Sequence, residues 1–257
     1  MESATLPAIA VLYFGAIFIS SISVLTFSVT ARSRIFAALW QLGGEARCDE
    51  ALKSRKEQLF AEQDAVLKGK VLDIGTGAGA QLTYIATMPD VTYIQCVEPN
   101  VAFKDALEKR VDILMAKRRS IIGAAPLQIS TFYGTIEEFI EKQQKNSTFD
   151  VVTCLLVLCS VANPGDVVKK LHDHCLRRGG SMIFCEHVAP KEGTFWWSLF
   201  RSVQPAWNLI GDGCQLCRRT PQTVVSCADW EKVEWDPYIS PKLSIPVPWV
   251  FGAAKKR

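Results

Sequence analysis

The residues with the clearest chemical meaning lie in one short glycine-rich stretch. Residues 71–80 read Val-Leu-Asp-Ile-Gly-Thr-Gly-Ala-Gly-Ala, an apolar strand that breaks into a glycine turn. Because glycine has no Cβ, such a turn lets the backbone approach a ligand closely. Asp73 precedes the first glycine by two positions and would present a carboxylate to a ligand's ammonium group. The candidate cofactor-binding residues of this stretch are Asp73, Gly75, Thr76, Gly77 and Gly79.

A second carboxylate decides which cofactor the turn suits. Gly75, Gly77 and Ala80 also satisfy the dinucleotide pattern G-x-G-x-x-G/A, and a turn that serves packing alone is a further alternative. Glu98 ends the next apolar run, about twenty residues on, where a carboxylate can accept both ribose hydroxyls of a nucleoside. Together with the ammonium partner at Asp73, it favours S-adenosylmethionine (SAM) over a nicotinamide nucleotide. The candidates in this second part of the site are Glu98, Pro99 and Asn100.

Two later strand ends extend the predicted site. In an open α/β sheet, ligands lie beyond the carboxyl ends of the strands. Thr135 and Ile136 follow the third apolar run and would face an adenine ring. Thr135 followed by two acidic residues is equally typical of an ordinary helix N-terminus. Leu155 and Leu156 end the fourth run and would reach the edge of the cofactor.

The elements that must position these residues alternate between strand and helix. Such alternation is typical of a parallel α/β sheet, and we predict a Rossmann-like α/β sheet with helices on both faces. Residues 232–255 add two β-segments that close it. The predicted strands are residues 71–74, 91–97, 127–133, 149–158 and 181–186, and the predicted helices are residues 46–67, 81–88, 101–119 and 167–176.

Residues 187–226 break this alternation with an aromatic-rich insertion. Such a segment could be core, a lid over the substrate, or a surface that faces a membrane. It begins directly after the strand expected to end near the reacting group, so it is the candidate substrate region. The residues assigned there are His187 and Asp212 as catalytic candidates, and Trp196, Trp197, Trp207 and Cys214 as substrate contacts.

The N-terminus predicts a membrane segment. Residues 3–31 contain no charged residue, and about 20 helical residues cross the ~30 Å hydrocarbon core of a bilayer. A cleavable signal peptide is an alternative, with a cleavage site after Ala31, and so is monotopic insertion, because Pro7 weakens the span. We predict a transmembrane or membrane-anchor helix within residues 1–34. Arg32, Arg34 and Arg47 then place the domain of residues 35–257 in the cytosol.

Composition excludes several classes of partner. The net charge is +3 and the basic residues form short separated clusters, so we expect no nucleic acid. The nine cysteines, several of them inside apolar runs, suit buried thiols in a reducing compartment. Cys214 and Cys217 form a C-x-x-C, but no second pair follows and only three histidines are present. We therefore predict no metal site.

Four short blocks carry a resemblance to a known family: residues 156–161, 186–188, 205–207 and 212–214, the last followed by Arg218. On these blocks the chain resembles class I SAM-dependent methyltransferases, and among them the membrane-associated thiol S-methyltransferases of the methyltransferase-like seven group. The resemblance spans about residues 59–255. It departs from the group at Glu98, where aspartate is expected, at Arg178, where proline is usual, and at Cys217, where threonine is familiar.

This resemblance implies an activity and a location. It implies methyl transfer from SAM to small thiols, from the endoplasmic reticulum membrane or lipid droplets. His187 would then act as a base or polar orienter, or be tied to a backbone carbonyl, and the tryptophans would favour apolar thiols. A quinone or lipid acceptor is the alternative within this class. An oxidoreductase on the same fold, and a non-catalytic membrane or lipid-droplet protein, are alternatives from other classes.

Overall fold

The computed structural model describes residues 29–143, 148–243 and 245–257. The predicted membrane segment lies almost wholly outside the described residues, which begin at Val29. Within the described part of the chain, no helix is both long enough and apolar enough to cross a bilayer.

Seven strands form one sheet. They are β1 Gly69–Ile74, β2 Val91–Glu98, β3 Gln128–Tyr133, β4 Phe149–Leu155, β5 Leu176–His187, β6 Trp230–Ile239 and β7 Pro248–Lys256. Their order is β3-β2-β1-β4-β5-β7-β6, in which β1 to β5 are parallel and β7 runs antiparallel to both of its neighbours. The predicted Rossmann-like α/β sheet is confirmed. The two closing segments lie at one edge, with the later one inserted beside β5.

Helices connect the strands, and several helices and strands begin or end at other residues than the sequence predicts. The predicted helix 46–67 ends at Glu62, and the predicted strand 149–158 ends at Leu155, because the chain turns at Leu156 with φ 65°. The helix predicted at 167–176 starts earlier, capped by Asn163. The helices are α1 Val29–Leu39, α2 Glu45–Glu62, α3 Leu82–Ile85, α4 Lys104–Arg118, α5 Ile136–Lys142, α6 Pro164–Lys170, α7 Phe195–Ile210 and α8 Thr220–Cys227.

Apolar residues cover both faces of the sheet. Successive residues of a strand point to opposite faces, so Val71 and Val151 join one core while Leu72 and Val152 join the other. Helices α2, α3 and α4 pack on the first face, and α5 and α6 pack on the second. This arrangement is why the central strands read as continuous apolar runs rather than as alternating ones.

The connection into β2 is held by one buried cation. The Arg118 guanidinium, at the end of α4, donates hydrogen bonds of 2.6–3.3 Å to five backbone carbonyls. The carbonyls of Met88 and Pro89 also accept backbone amides, so the guanidinium reinforces a connection that is already hydrogen-bonded. The network fixes the start of β2, and hence the strand that ends at Glu98. The acceptors belong to Ala86, Met88, Pro89, Val91 and Ala125.

The strand order reverses direction between β1 and β4, which are neighbours in the sheet. Crossovers leave these two strands toward opposite edges of the sheet. The loops after them therefore separate and leave a crevice at their carboxyl ends, the usual ligand site in open α/β sheets.

Candidate active site

The glycine turn after β1 has two glycines with different tasks. Gly75 and Gly77 have φ values of 63° and 58°, in the left-handed region that favours glycine. A Cβ on Gly75 would lie 2.4 Å from Cγ2 of Val157, whereas a Cβ on Gly77 would have no neighbour within 4 Å. Gly75 thus lets the turn pack against the loop after β4, and Gly77 faces open space that a ligand can enter. Thr76 and Gly79, also assigned to the site, are both buried.

Asp73 presents an unpartnered carboxylate oxygen below this turn. Its side chain is buried, and Oδ1 accepts a hydrogen bond from Oγ1 of Thr153 at 2.5 Å. Oδ2 accepts no hydrogen bond from the described residues. Burial raises the pKa of Asp73 to about 6. Because an unpaired buried carboxylate is costly, this oxygen fits a cationic group such as the ammonium group predicted from the sequence.

Glu98, at the end of β2, connects the turn to the following loop. Oε2 accepts from the Gly77 amide and Oε1 from the Asn100 amide, both at 2.7 Å. Burial raises the pKa of Glu98 to about 7, although these two amides oppose the shift. A carboxylate has about four acceptor positions, so two remain for ribose hydroxyls. The glutamate side chain is long enough to reach both amides. Pro99, the residue between Glu98 and Asn100, is exposed.

Asp212 lies on the cofactor side of the site. Its carboxylate accepts from Oγ of Ser33 at 3.0 Å and from Nδ2 of Asn100 at 3.3 Å. Nδ2 of Asn100 also donates to the Ser33 carbonyl at 3.0 Å. This network links the loop after α7 to α1, close to the Glu98 end of the crevice. Sequence reasoning placed residues up to 34 in the membrane anchor, whereas the structure shows Ser33 in contact with the catalytic domain.

The side chains of the residues assigned to the adenine side are engaged within the protein, which leaves their backbone for a ligand. Thr135 forms a capping box on α5: its Oγ1 accepts from the Glu138 amide, and its own amide donates to the Glu138 carboxylate. The side chains of Ile136 and Leu155 are buried in the two cores. The helix-cap alternative therefore accounts for the Thr135 side chain.

A buried glutamate shapes the loop after β4. Glu186 accepts from the amides of Val157 and Leu158 with Oε1, at 2.9 and 2.8 Å, and from that of Cys159 with Oε2, at 3.2 Å. Burial raises its pKa to about 7. These bonds hold the chain just after Leu156, the residue in the left-handed region. Glu186 thus positions this loop beside the end of β5.

Two sulfurs and an imidazole meet at this point. Nε2 of His187 lies 2.9 Å from Sγ of Cys214, and the ligand atoms of Cys159, His187 and Cys214 all lie within 4.8 Å of one another. All three residues are buried. We call them the Cys–His–Cys cluster. Cys217, the second cysteine of the C-x-x-C, is not part of it.

The cluster is strongly polarised. A hydrogen bond from the Cys159 thiol, together with one from His187, lowers the pKa of Cys214 to about 4 despite its burial. The same contact holds the pKa of Cys159 well above its usual range. Burial opposes protonation of His187, but its hydrogen bond to Cys214 raises the imidazole pKa. These contacts therefore favour the thiolate form of Cys214.

The structure brings some sequence candidates together and separates others. His187 and Cys214 are in contact, as members of one site should be, while Asp212 contacts Ser33 and Asn100 instead. Cys159, which the sequence offers as one of the cysteines inside apolar runs, was not among the predicted site residues. Its position shortly after β4 was the available signal, because the carboxyl ends of parallel strands meet at one edge of the sheet.

The three tryptophans lie on α7, which packs against α1. The N-terminus of α7 is capped by the Thr194 hydroxyl. All three tryptophans are half-buried. The Trp197 ring lies beneath the Arg201 guanidinium, at 4.7 Å. The buried Trp207 indole faces Cys214, and its N–H helps to lower the pKa of that thiol. The Trp196 ring contacts neighbouring phenylalanines edge-on.

Comparison with known proteins identifies the family. A methyltransferase domain family matches residues 45–219. The thiol S-methyltransferase TMT1B of Rattus norvegicus is 34% identical, over 82% of this chain and 82% of its own. The thiol S-methyltransferase TMT1A of Homo sapiens is 33% identical, over 67% of this chain and 66% of its own. An O-methyltransferase family protein from Burkholderia thailandensis shares the fold, with a TM-score of 0.56 and 12% identity over 81% of this chain and 56% of that one. The chain therefore belongs to the SAM-dependent methyltransferases, in the family of the thiol S-methyltransferases.

Proposed function

We propose that this enzyme methylates the sulfur of small apolar thiols; the names of its relatives state thiol S-methylation for them. One observation carries the proposal. The Cys–His–Cys cluster lies at the carboxyl ends of β4 and β5, on the same edge of the sheet as the candidate cofactor residues Asp73 and Glu98. An acceptor that enters between them would meet a sulfur-rich, polarised site.

The residues at the glycine turn fit SAM. The free Oδ2 of Asp73 suits its ammonium group, the remaining acceptor positions of Glu98 suit its ribose hydroxyls, and the space at Gly77 admits its close approach. When bound, SAM supplies an electrophilic methyl group. These contacts align that group with an incoming sulfur, and alignment is the main contribution a protein makes to such a transfer.

The acceptor must react as a thiolate. An ordinary thiol has a pKa of roughly 8.5, so only a minority is ionised at neutral pH. Sequence reasoning assigned this task to His187 as a base. Since Nε2 of His187 is engaged by Cys214, we assign the ionisation of the acceptor to the cluster as a unit.

Apolar acceptors suit the surface around α7. Three large apolar side chains are exposed on or beside α1 and α7: Leu39, Leu42 and Phe195, with 56%, 84% and 71% of their surface accessible. Half-buried Trp196, Trp197 and Trp207 follow Phe195 along α7 and would form an apolar entrance. Quinones and lipids could use the same entrance. The sulfur-rich cluster favours thiols.

We also propose that residues 1–28 hold the enzyme on the endoplasmic reticulum membrane or on lipid droplets, with the catalytic domain in the cytosol. The uncharged stretch of residues 3–31 and the exposed apolar side chains of α1 and α7 support this. Deletion of residues 1–28 should release the protein into the soluble fraction with SAM binding intact. Deletion to residue 34 should also weaken SAM binding, because it removes Ser33. Continued membrane association after the shorter deletion would show that the domain itself contacts the bilayer.

An acceptor screen with methyl-labelled SAM tests the activity. Hydrophobic alkyl thiols should be methylated at sulfur, while glutathione, quinones and lipids should be poor acceptors. Labelling of quinones or lipids in preference to thiols would overturn the thiol assignment. SAM binding without turnover on any acceptor would instead indicate a non-catalytic protein, and binding of NAD(H) without SAM would indicate an oxidoreductase.

A further inference from the structure

The Cys–His–Cys cluster has the composition of a zinc site. Thiolate sulfur and imidazole nitrogen are the ligands that zinc prefers, with Zn–S near 2.3 Å and Zn–N near 2.0–2.1 Å. In a tetrahedral site these bond lengths put neighbouring ligand atoms about 3.6 Å apart. The three ligand atoms here already lie within 4.8 Å of one another. Only small side-chain movements would be needed to enclose an ion.

We propose that Cys159, His187 and Cys214 bind a zinc ion whose fourth position receives the sulfur of the acceptor. This inference rests on the proposed thiol methylation and deepens it by assigning how the thiol is activated. The sequence predicted no metal here because the C-x-x-C lacks a second pair. The cluster uses only Cys214 of that motif and takes its other ligands from the ends of β4 and β5.

The surroundings leave room for three protein ligands and no more. Among the described residues, no histidine, cysteine or carboxylate joins these three as a fourth ligand. The carboxylate of Glu186 is occupied by three backbone amides, and that of Asp212 by Ser33 and Asn100. Three protein ligands with one open position are typical of catalytic zinc, whereas structural zinc has four.

The imidazole ring already presents one nitrogen to the cluster. His187 is buried, and among the described residues its one hydrogen bond joins Nε2 to Cys214. Coordination through Nε2 would hold the ring in place. Nδ1, which has no partner among the described residues, would remain to orient the ring through a water molecule or the acceptor.

Zinc would solve the chemical problem of the reaction. Binding of Zn²⁺ would release to water the protons held by Cys159 and His187. Two thiolates and a neutral imidazole would then balance the charge of the ion, so the site would be neutral and would tolerate burial. When an acceptor thiol coordinates, its S–H bond breaks, a Zn–S bond forms, and the proton passes to water. The electron pair of the thiolate then forms the new S–CH₃ bond as the sulfonium S–CH₃ bond breaks. S-adenosylhomocysteine leaves as a neutral thioether, and the methylated acceptor, a weak ligand, dissociates.

Metal content and cobalt spectroscopy test the proposal on the full-length protein in detergent. Purified under reducing conditions without chelator, it should contain about one zinc per chain. Cobalt exchanged into the site should show a sulfur-to-cobalt charge-transfer band and the intense visible bands of tetrahedral coordination. Addition of an apolar alkyl thiol without SAM should shift these bands, because the thiol enters the fourth position.

Serine variants locate the site. Cys159→Ser and Cys214→Ser should each lose the bound metal and the charge-transfer band. Cys217→Ser, which changes the neighbouring cysteine outside the cluster, should keep both. If the first two variants fold poorly, the wild-type metal content and cobalt spectrum still decide the question. Wild-type protein that takes up no metal after incubation with zinc would overturn the proposal, as would metal retained by both cluster variants.

The two proposals fail in different ways. Undiminished thiol methylation by metal-free wild-type protein would overturn the zinc site and leave the proposed function standing. Bound zinc that alkyl thiols do not perturb, together with methylation of another acceptor class, would overturn both the thiol assignment and the role of the fourth position.

Discussion

Replacement of Glu98 by glutamine tests the cofactor site through its pH dependence. The Glu98 carboxylate accepts hydrogen bonds from the amides of Gly77 and Asn100 and keeps acceptor positions for the ribose. Burial raises its pKa to about 7. Protonation converts one acceptor oxygen into a donor, so the protonated form cannot receive both ribose hydroxyls. Affinity for the cofactor should therefore be gained as the pH rises through about 7.

The size of the effect follows from the pKa. If only the ionised form binds, the apparent Kd is multiplied by 1 + 10^(pKa − pH). With a pKa of about 7, this factor is about 11 at pH 6 and about 1.1 at pH 8, which is about a tenfold change. Asp73, whose pKa is raised by burial to about 6, adds a further factor of about two at pH 6 because its ionised form pairs with the ammonium group.

Titration calorimetry with S-adenosylhomocysteine measures this dependence between about pH 6 and about pH 8. Glu98→Gln is the control, because it keeps the length of the side chain, the titration of Asp73 and the titration of the ligand. The tenfold component should disappear in the variant, and its Kd at the upper pH should rise at least about tenfold. A flat wild-type profile, or the same slope in both proteins at matched thermal stability, would refute the assignment of Glu98 to the ribose.

Four further outcomes follow from contacts described above. Gly77→Val should abolish SAM binding in calorimetry at a stability cost of only about 1–2 kcal/mol, since it adds left-handed strain but no clash. Gly75→Val should lower Tm further, because its Cβ would lie 2.4 Å from Cγ2 of Val157; equal Tm values would contradict this reasoning. Trp197→Ala should raise KM for an apolar thiol several-fold with SAM affinity unchanged, and efficient turnover of glutathione by the wild type would argue against the apolar entrance. Arg118→Lys should cost about 3 kcal/mol in denaturant unfolding, because an ammonium cannot reach five carbonyls; a loss below about 1 kcal/mol would show that the network contributes little.

Much of the fold and half of the site could be predicted from local sequence. The glycine turn and the apolar runs are local features, and right-handed crossovers between parallel strands leave few topologies for their alternation. Asp73 and Glu98 lie at the carboxyl ends of β1 and β2, so their positions follow directly from the order of the strands. Thr135 shows the limit of this reasoning, because a helix cap and a cofactor contact have the same sequence signal.

The tertiary structure alone decided how the other half of the site is assembled. His187 and Cys214 are 27 positions apart, and Ser33 reaches Asp212 across 179. Such contacts depend on how the insertion folds back over the sheet. The sequence of α7 indicates that one face is apolar, but it does not indicate that this helix packs against α1. Cys159 reads as one more apolar position until Glu186 fixes its loop through three amides. Residue type and periodicity determine which element forms, but the meeting of side chains from distant loops is set by the packing of all elements together.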